Sequence, residues 1–244
     1  MGDKTPIIAV EQLSKTFGPL PVLRSVSFNL GRGEAVMLLG QNGSGKSTLL
    51  RLLAGLSKPT AGLIHIGGWQ MPQEAMAVRR QIGLVSHRPL LYGNLSAREN
   101  LDFFGKFYGM DRDERGERIR DVLDQVGLAK RADSLARDFS RGMRQRLSIA
   151  RALLHQPEIL LLDEPFTGLD LSAAETLEDL IQLAQREART LIIATHQLGR
   201  APALAGRALM LARGQIAFDG NIARMSAAGL GDLYADICGE AALA

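Results

Sequence analysis

Residues 40–48 read Gly-Gln-Asn-Gly-Ser-Gly-Lys-Ser-Thr and match the pattern G-x-x-x-x-G-K-[ST]. The apolar run 35–39 precedes this stretch as a buried strand would, and residues 48–53 are rich in helix formers. The pattern therefore lies between a predicted strand and a predicted helix, which is the context in which such a loop binds phosphate. The alternative is a glycine-rich turn without this function, and the flanking elements argue against it.

The composition of this loop follows from the shape of its ligand. A phosphate chain must lie against bare backbone, because a side chain on the inner turn would block it. Successive backbone N–H groups and the positive end of the following helix then face the anion. Lys46 can reach the outer phosphates, and the Ser47 hydroxyl can hold Mg²⁺. The loop residues predicted to contact a nucleoside triphosphate are Gly40, Asn42, Gly43, Ser44, Gly45, Lys46, Ser47 and Thr48.

The whole chain has the composition of a globular protein. Its 244 residues suit one large domain, or one domain with an insertion, and 46% of them are hydrophobic. The net charge of +3 is too small to argue for nucleic acid, so no nucleic-acid partner is expected. A single cysteine, together with an N-terminus that lacks an apolar signal core, predicts a reducing cytoplasm.

Hydrophobic patterns divide the chain into strands and one helical region. Strands are predicted at residues 7–10, 22–30, 63–66, 82–85, 159–162 and 191–194, with a late hairpin over 209–218. Helical periodicity over 97–108, 111–126 and 142–155 predicts a mainly helical insertion. The predicted strands 159–162 and 191–194 are apolar throughout, which favours central strands of a parallel sheet that is covered on both faces.

Two carboxylates, Asp163 and Glu164, emerge where a predicted buried strand ends. Asp163 is placed to hold Mg²⁺ opposite Ser47, and Glu164 to act as the base or water-orienting group for attack on the terminal phosphorus. His196 follows the next strand and could hydrogen-bond the terminal phosphate; a surface histidine is the structural alternative. The predicted catalytic residues are Glu164, His196 and Lys46, and the predicted Mg²⁺ ligands are Ser47 and Asp163.

Residues 139–143, Phe-Ser-Arg-Gly-Met, resemble the Leu-Ser-Gly-Gly-Gln signature of the ABC-type ATPases. Ser140 and Gly142 match, and the other three positions depart. The resemblance covers about residues 7–220, with every expected motif in order. It implies an α/β fold of the P-loop NTPase (RecA-like) kind, in which a parallel sheet is joined by an N-terminal antiparallel β region and a helical insertion.

The same resemblance implies the domain organisation. A single ATPase domain is expected over residues 1–220, followed by a short helical tail over 221–244. Within the domain, the nucleotide-binding core is expected at about 1–88 and 157–220, and the helical subdomain at about 89–156.

The resemblance also implies a partner copy of the chain. The signature, with Ser140 as N-cap and Gly142 beside it, would close over ATP held by a second, identical chain, giving a head-to-tail nucleotide sandwich. Asp170 looks like part of the loop that links the two sites. Phe17 sits where the family stacks a ring on adenine, and a core position is the alternative. His87 occupies the place of a Mg²⁺-sensing glutamine, where imidazole is expected to contact the ion through water.

Histidine at position 87 is a feature of one family branch, the haem-exporter ATPase of cytochrome c biogenesis, which residues 163–167 and 195–198 also resemble. The branch implies an ATP-hydrolysing subunit bound peripherally at the cytoplasmic face of the inner membrane. Its partners would be integral membrane subunits, and its process haem export or cytochrome c maturation. An exporter ATPase for another substrate, such as a drug or polysaccharide, is the alternative. A soluble ABC ATPase of DNA repair or translation is a third reading.

Four aromatic residues crowd the helix predicted after His87. They are Phe103, Phe104, Phe107 and Tyr108. They are expected either to form a cleft for a coupling helix of a membrane partner or, in part, to belong to the core of the helical insertion.

Overall fold

The computed structural model describes residues 5–86 and 89–243. His87 lies outside these residues, so its expected contact with Mg²⁺ stays a prediction. The described chain forms two β-sheets with eight helices longer than a single 3-10 turn.

The first sheet is antiparallel and has the strand order β2-β1-β4-β5. Its strands are β1 (Ile8–Phe17), β2 (Leu20–Leu30), β4 (Ala61–Ile66) and β5 (Trp69–Met71). Ile8 pairs with Leu30 on one side and with Ile66 on the other, and all three side chains are buried. This sheet is the predicted antiparallel β region. Its strands extend beyond the predicted bounds, and β5 was not predicted.

The second sheet has the order β10-β9-β3-β8-β7-β6. Its strands are β3 (Ala35–Leu39), β6 (Ile82–Val85), β7 (Ile159–Asp163), β8 (Thr190–Thr195), β9 (Arg207–Ala212) and β10 (Gln215–Asn221). All neighbours are parallel except the β9–β10 hairpin. Leu39 pairs with Thr195, and Asp163 pairs with Ala194. The register therefore brings the carboxyl ends of β3, β7 and β8 together at one edge.

The helices lie on and around this sheet. They are α1 (Lys46–Leu53), α2 (Ala75–Gln81), α3 (Ala97–Phe107), α4 (Arg112–Gln125), α5 (Arg141–Leu153), α6 (Leu171–Arg186), α7 (Ala201–Leu204) and α8 (Ala227–Leu243). The helices α3, α4 and α5 agree with the three predicted ones to within two residues, whereas α2 and α6 were not predicted. Helix α3 begins with a capping box, in which the Ser96 hydroxyl and the Glu99 carboxylate each accept from the other residue's backbone N–H.

The central strands contribute to two hydrophobic cores at once. Ile159 and Leu161 of β7 face the core shared with the antiparallel sheet and α1, whereas Leu160 and Leu162 face the core shared with the other helices. Because successive side chains of a strand point to opposite faces, a strand buried on both sides must be apolar at every position. This accounts for the continuous apolar runs.

The C-terminal helix packs against the body of the protein. Leu230 of α8 is fully buried, and Leu233, Tyr234 and Ile237 pack against the helix-covered core. The segment expected as a short tail is therefore a helix of 17 residues that contributes to that core. Among the described residues, no helix is both long and apolar enough to cross a bilayer.

Candidate functional site

The phosphate loop lies between β3 and α1, as its pattern predicts. Gly43 and Gly45 have φ angles of 83° and 111°, in the region that disfavours other residues. A Cβ atom added to Gly40 would come within 2.5 Å of the Leu211 carbonyl and the Ser44 hydroxyl. The Ser44 Oγ atom is buried and has no hydrogen-bond partner among the described residues. Bare backbone and an unpaired hydroxyl are what a phosphate group would need here.

Lys46, the first residue of α1, is buried in this loop. Its ammonium group donates hydrogen bonds to the carbonyls of Gly40 at 2.7 Å and Gln41 at 3.2 Å. Its Nζ atom also lies 3.7 Å from Oε1 of Glu164, and only 6% of the Lys46 side chain is exposed. The buried ammonium gives the loop a positive charge, which suits an anionic ligand.

Ser47 and Asp163 meet across the end of the sheet. The Ser47 hydroxyl donates to Oδ1 of Asp163 at 3.0 Å, and the Asp163 side chain is buried. A hydroxyl and a carboxylate form an oxygen ligand pair that suits Mg²⁺. In the described part of the chain, no group of three or more His, Cys, Asp or Glu side chains could hold a metal ion. If Mg²⁺ binds here, these two oxygens would be its protein ligands, and water and a bound nucleotide could supply the others.

Glu164 is held by residues from two neighbouring loops. Its carboxylate accepts from Thr195 Oγ1 at 3.1 Å and from Thr167 Oγ1 at 3.4 Å, and its Oε1 lies 2.8 Å from Nδ1 of His196. The backbone of Glu164 has φ of 50°, which is uncommon outside glycine, and its N–H donates to the Ala194 carbonyl at 2.8 Å. The strained backbone and the side-chain contacts together fix the carboxylate at the mouth of the loop.

Lys46, Ser47, Glu164 and His196 line one cleft of about 470 Å³, which Asp163 borders through its contact with Ser47. Its lining residues are Val22, Asn42, Gly43, Gly45, Lys46, Ser47, Thr48, Glu164, Thr167 and His196. The structure therefore brings the predicted catalytic residues and most of the predicted loop residues together. It also adds Val22 and Thr167, for which no role was predicted. Thr167 lies in a quoted motif, but Val22 reaches the cleft only through packing of the antiparallel sheet.

The predicted signature lies on a different surface from the cleft. Ser140 is exposed and caps α5, its hydroxyl accepting from the Met143 N–H at 3.2 Å. A Cβ atom added to Gly142 would lie 3.6 Å from Ala173, near the start of α6. Asp170, also exposed, caps α6 by accepting from the Ala173 N–H at 2.8 Å. Ser140, Gly142 and Asp170 therefore form one surface, the signature surface, and none of the three lines the cleft.

Phe17 lies at the end of β1 and is 52% exposed. It does not line the cleft, and the Lys15 ammonium lies 4.8 Å from the centre of its ring. An exposed ring does not suit the core alternative, so its stacking on adenine stays a prediction.

Helix α5, the signature helix that Ser140 caps, contacts the edge strand β6 through its last turn and the residues just after it. Arg151 donates to the Leu84 carbonyl at 2.7 Å, and the His155 ring nitrogen Nε2 lies 3.1 Å from the Ile82 carbonyl. The His155 ring stacks on Tyr108 with 3.8 Å between ring centres. Burial lowers the pKa of His155 to about 4, although the Ile82 carbonyl partly opposes this shift. His155 is therefore a neutral imidazole that donates from Nε2 at neutral pH.

Comparison with known proteins agrees with this geometry. Residues 23–167 match the family model described as ABC transporter. The chain is 37% identical to the ABC transporter ATP-binding protein NatA of Bacillus subtilis over 81% of each protein. It is 34% identical to the linearmycin resistance ATP-binding protein LnrL of the same species, over 86% of this chain and 68% of LnrL.

Among solved structures, the chain is similar to the dimeric post-hydrolysis state of the ATP-binding cassette MJ0796 bound to ADP and Pi. The TM-score is 0.81 at 29% identity, over 88% of this chain and 98% of the other. The fold, the cleft and the family match lead to one conclusion. This chain belongs to the ABC transporter family and is one of its ATP-binding, ATP-hydrolysing subunits.

Proposed function

We propose that this subunit hydrolyses ATP in a site completed by a second copy of the chain, and that hydrolysis drives export through membrane subunits. The carrying observation is the separation of the cleft from the signature surface. Ser140 and Gly142 do not line the cleft that holds Lys46 and Glu164. A capped helix N-terminus is suited to face phosphate, so on this proposal each chain supplies it to the nucleotide of its partner.

Within the cleft, each side chain has a separate task. Lys46 binds the outer phosphates, and Ser47 and Asp163 would hold Mg²⁺, which would supply charge neutralisation at the phosphate oxygens. Glu164 orients the attacking water and accepts its proton as the bond between the terminal phosphorus and the ADP oxygen breaks. His196 contacts the terminal phosphate and, from its place beside Oε1, keeps the Glu164 carboxylate turned toward the water.

A mixing experiment tests whether the site is shared. Lys46→Ala destroys the phosphate loop, and Ser140→Glu places a negative charge where the signature would face phosphate. Each variant alone should lack ATPase activity. A mixed dimer of the two carries one intact site, with the loop from one chain and the signature from the other, so mixing should restore turnover. If the complete site lay within one chain, the mixture would stay inactive.

An aromatic surface on α3 supports the proposed membrane partner. Phe103 and Phe107 are 43% and 78% exposed, and Phe103 packs edge-on against Tyr92 with 4.9 Å between ring centres. Phe104 and Tyr108 are partly buried instead, with Phe104 against the helix-covered core. The exposed rings offer an apolar surface for a coupling helix of a membrane subunit, which would hold this chain at the cytoplasmic face of the inner membrane.

Haem export in cytochrome c maturation is our proposed process. Its support is the histidine at position 87, together with the motifs at residues 163–167 and 195–198. His87→Gln should keep basal ATPase activity, because glutamine serves at this place in most of the family. Loss of basal ATPase activity in this variant would instead show that the His87 imidazole has a function that glutamine cannot replace.

Export of another substrate is the second candidate, favoured by the likeness to the linearmycin resistance subunit LnrL. Copurification of the native membrane complex and identification of its partner chains decide between the two. A partner unrelated to cytochrome maturation would reject the haem assignment. An ATPase activity that is stimulated by nucleic acid and independent of membranes would reject transport altogether.

A further inference from the structure

Arg200 lies four residues after His196, in the 3-10 helix Leu198–Arg200 that leads into α7. Its guanidinium forms an ion pair with Glu178 on α6. The same group lies over the ring of Phe166, 5.4 Å from its centre. Both side chains of the ion pair are about one-third exposed, and Phe166 is buried. One side chain therefore contacts two segments that are distant from it in sequence.

These contacts join the loops that carry the catalytic groups. Phe166 comes directly before Thr167, whose hydroxyl donates to the Glu164 carboxylate at 3.4 Å. Glu178 lies on the helix that starts after Asp170 of the signature surface. Arg200 itself follows the loop of Thr195 and His196, which contacts Glu164 from the other side. The loops that meet at the Glu164 carboxylate are thus joined a second time by Arg200.

The geometry favours a strong connection rather than an incidental surface pair. A partly desolvated ion pair is screened less by solvent than one between exposed side chains. A guanidinium over an aromatic face adds an attraction that needs the planar cation in place. Since Phe166 is buried in the helix-covered core, the connection ties the Arg200 guanidinium to a fixed point.

We propose that Arg200 is a positioning residue for ATP hydrolysis, which rests on the proposed role of Glu164. It fixes the His196 loop against the Phe166–Thr167 segment, so that His196, Thr195 and Thr167 hold the Glu164 carboxylate in its working orientation. Arg200 does not line the nucleotide cleft. Its loss should therefore slow the hydrolytic step without weakening ATP binding.

Steady-state kinetics of the purified full chain test this inference. Arg200→Ala should lower kcat about tenfold and leave the KM for MgATP within about twofold, because misplacing a catalytic group affects the transition state more than binding. Glu178→Gln, which breaks the pair from the other end, should lower kcat in the same direction. Arg200→Lys keeps the charge but not the planar stack, so its kcat should lie between those of the wild type and the alanine variant.

The matched control is the ion pair of Arg32 and Glu158, which joins the turn before β3 to the segment before β7, with both side chains more than half exposed. Arg32→Ala should leave kcat and KM unchanged. Thermal unfolding of every variant shows whether a lost activity reflects a lost fold. An unchanged kcat in Arg200→Ala, or a kcat loss explained by the fraction unfolded, overturns the positioning role.

A double variant separates this inference from the function on which it rests. In the Glu164→Gln background, Arg200→Ala should cause no further loss of kcat, since the carboxylate that it positions is already gone. If the kcat of the double variant were reduced by the product of the two single-variant factors, the positioning role would be overturned. A Glu164→Gln variant with normal turnover would instead overturn the proposed function of Glu164.

Discussion

Nδ1 of His196 lies 2.8 Å from Oε1 of Glu164, so the residue after β8 contacts the residue after β7. The parallel register creates this pair, because Ala194 and Asp163 are opposite each other at the ends of the two strands. The adjacent Thr195 hydroxyl donates to the other carboxylate oxygen. Glu164 is therefore oriented from one side through both oxygens.

Glu164→Gln should slow ATP turnover by about 10²–10⁴-fold, the usual contribution of a general base. ATP affinity should change little, because the amide keeps the size of the carboxylate and the phosphate loop itself is unchanged. Trapped ATP should make the variant accumulate as a dimer. Turnover assays, nucleotide titration and gel filtration with MgATP measure these three effects. Wild-type turnover would remove Glu164 from this role.

Asp163→Asn should weaken Mg²⁺-dependent ATP binding by about tenfold or more, since a metal ligand loses its charge. The asparagine oxygen can still accept from Ser47, so the fold and the helix α1 should persist. Nucleotide titration with Mg²⁺ and with a chelator separates the two contributions. Equal weakening under both conditions would show that Asp163 supports the loop itself and not the metal.

Ser140→Ala removes an N-cap and, on our proposal, a contact with the partner's nucleotide. Loss of the cap should cost about 1 kcal/mol of unfolding free energy. Asp111→Ala is the matched control, because Asp111 caps α4 by accepting from the Asp113 N–H at 2.7 Å. Both variants should lose similar stability in denaturant titrations. Only Ser140→Ala should lose ATP-dependent dimerisation, and equal dimerisation in the two variants would contradict the signature role.

The free energy of unfolding should decrease as the pH falls from about 6.5 to about 4. In this range His155 is protonated in the unfolded chain but still neutral in the folded protein. Its pKa is lowered from 6.5 to about 4 in the folded protein, chiefly by burial, with Arg151, Arg189 and Arg118 adding to the effect. The unfolded chain thus binds more protons in this window, and unfolding free energy decreases as pH falls, by up to about 3 kcal/mol.

His155→Gln tests this pH dependence, because a glutamine amide can donate to the Ile82 carbonyl and does not titrate. Denaturant titrations at pH 8 and pH 5 should show a smaller difference for the variant than for the wild type. An equal difference in the two proteins would assign the acid sensitivity to other groups.

The residues predicted for the nucleotide site lie close together because they sit at strand ends that one parallel sheet brings to the same edge. The apolar runs around Ile159–Asp163 and Thr190–Thr195 identified buried strands, and the polar residues after them identified the edge. Such information is local to each strand. The register of the parallel strands then brings the residues at their ends together. Ser47 therefore contacts Asp163 although no sequence pattern links the two positions.

Other parts of the site depend on contacts that local patterns do not encode. Helix α6 carries a regular apolar face, yet it was not predicted, although its N-cap Asp170 was noted as part of a motif. Val22 reaches the cleft because the antiparallel sheet packs over the loop. The pairing of Arg200 with Glu178 joins positions 22 residues apart on different helical segments, and neither residue belongs to a motif. Only the three-dimensional arrangement reveals these contacts.

The attachment of the signature helix to β6 also affects how the protein behaves in solution. β6 is the last strand of its sheet, and the outer side of such a strand offers backbone carbonyls to any passing extended chain. The carbonyls of Ile82 and Leu84 point the same way, two residues apart, and are occupied by His155 and Arg151. Side chains of α5 and of the turn that follows it thus take the place of a seventh strand, so the sheet ends here and resists edge-to-edge aggregation.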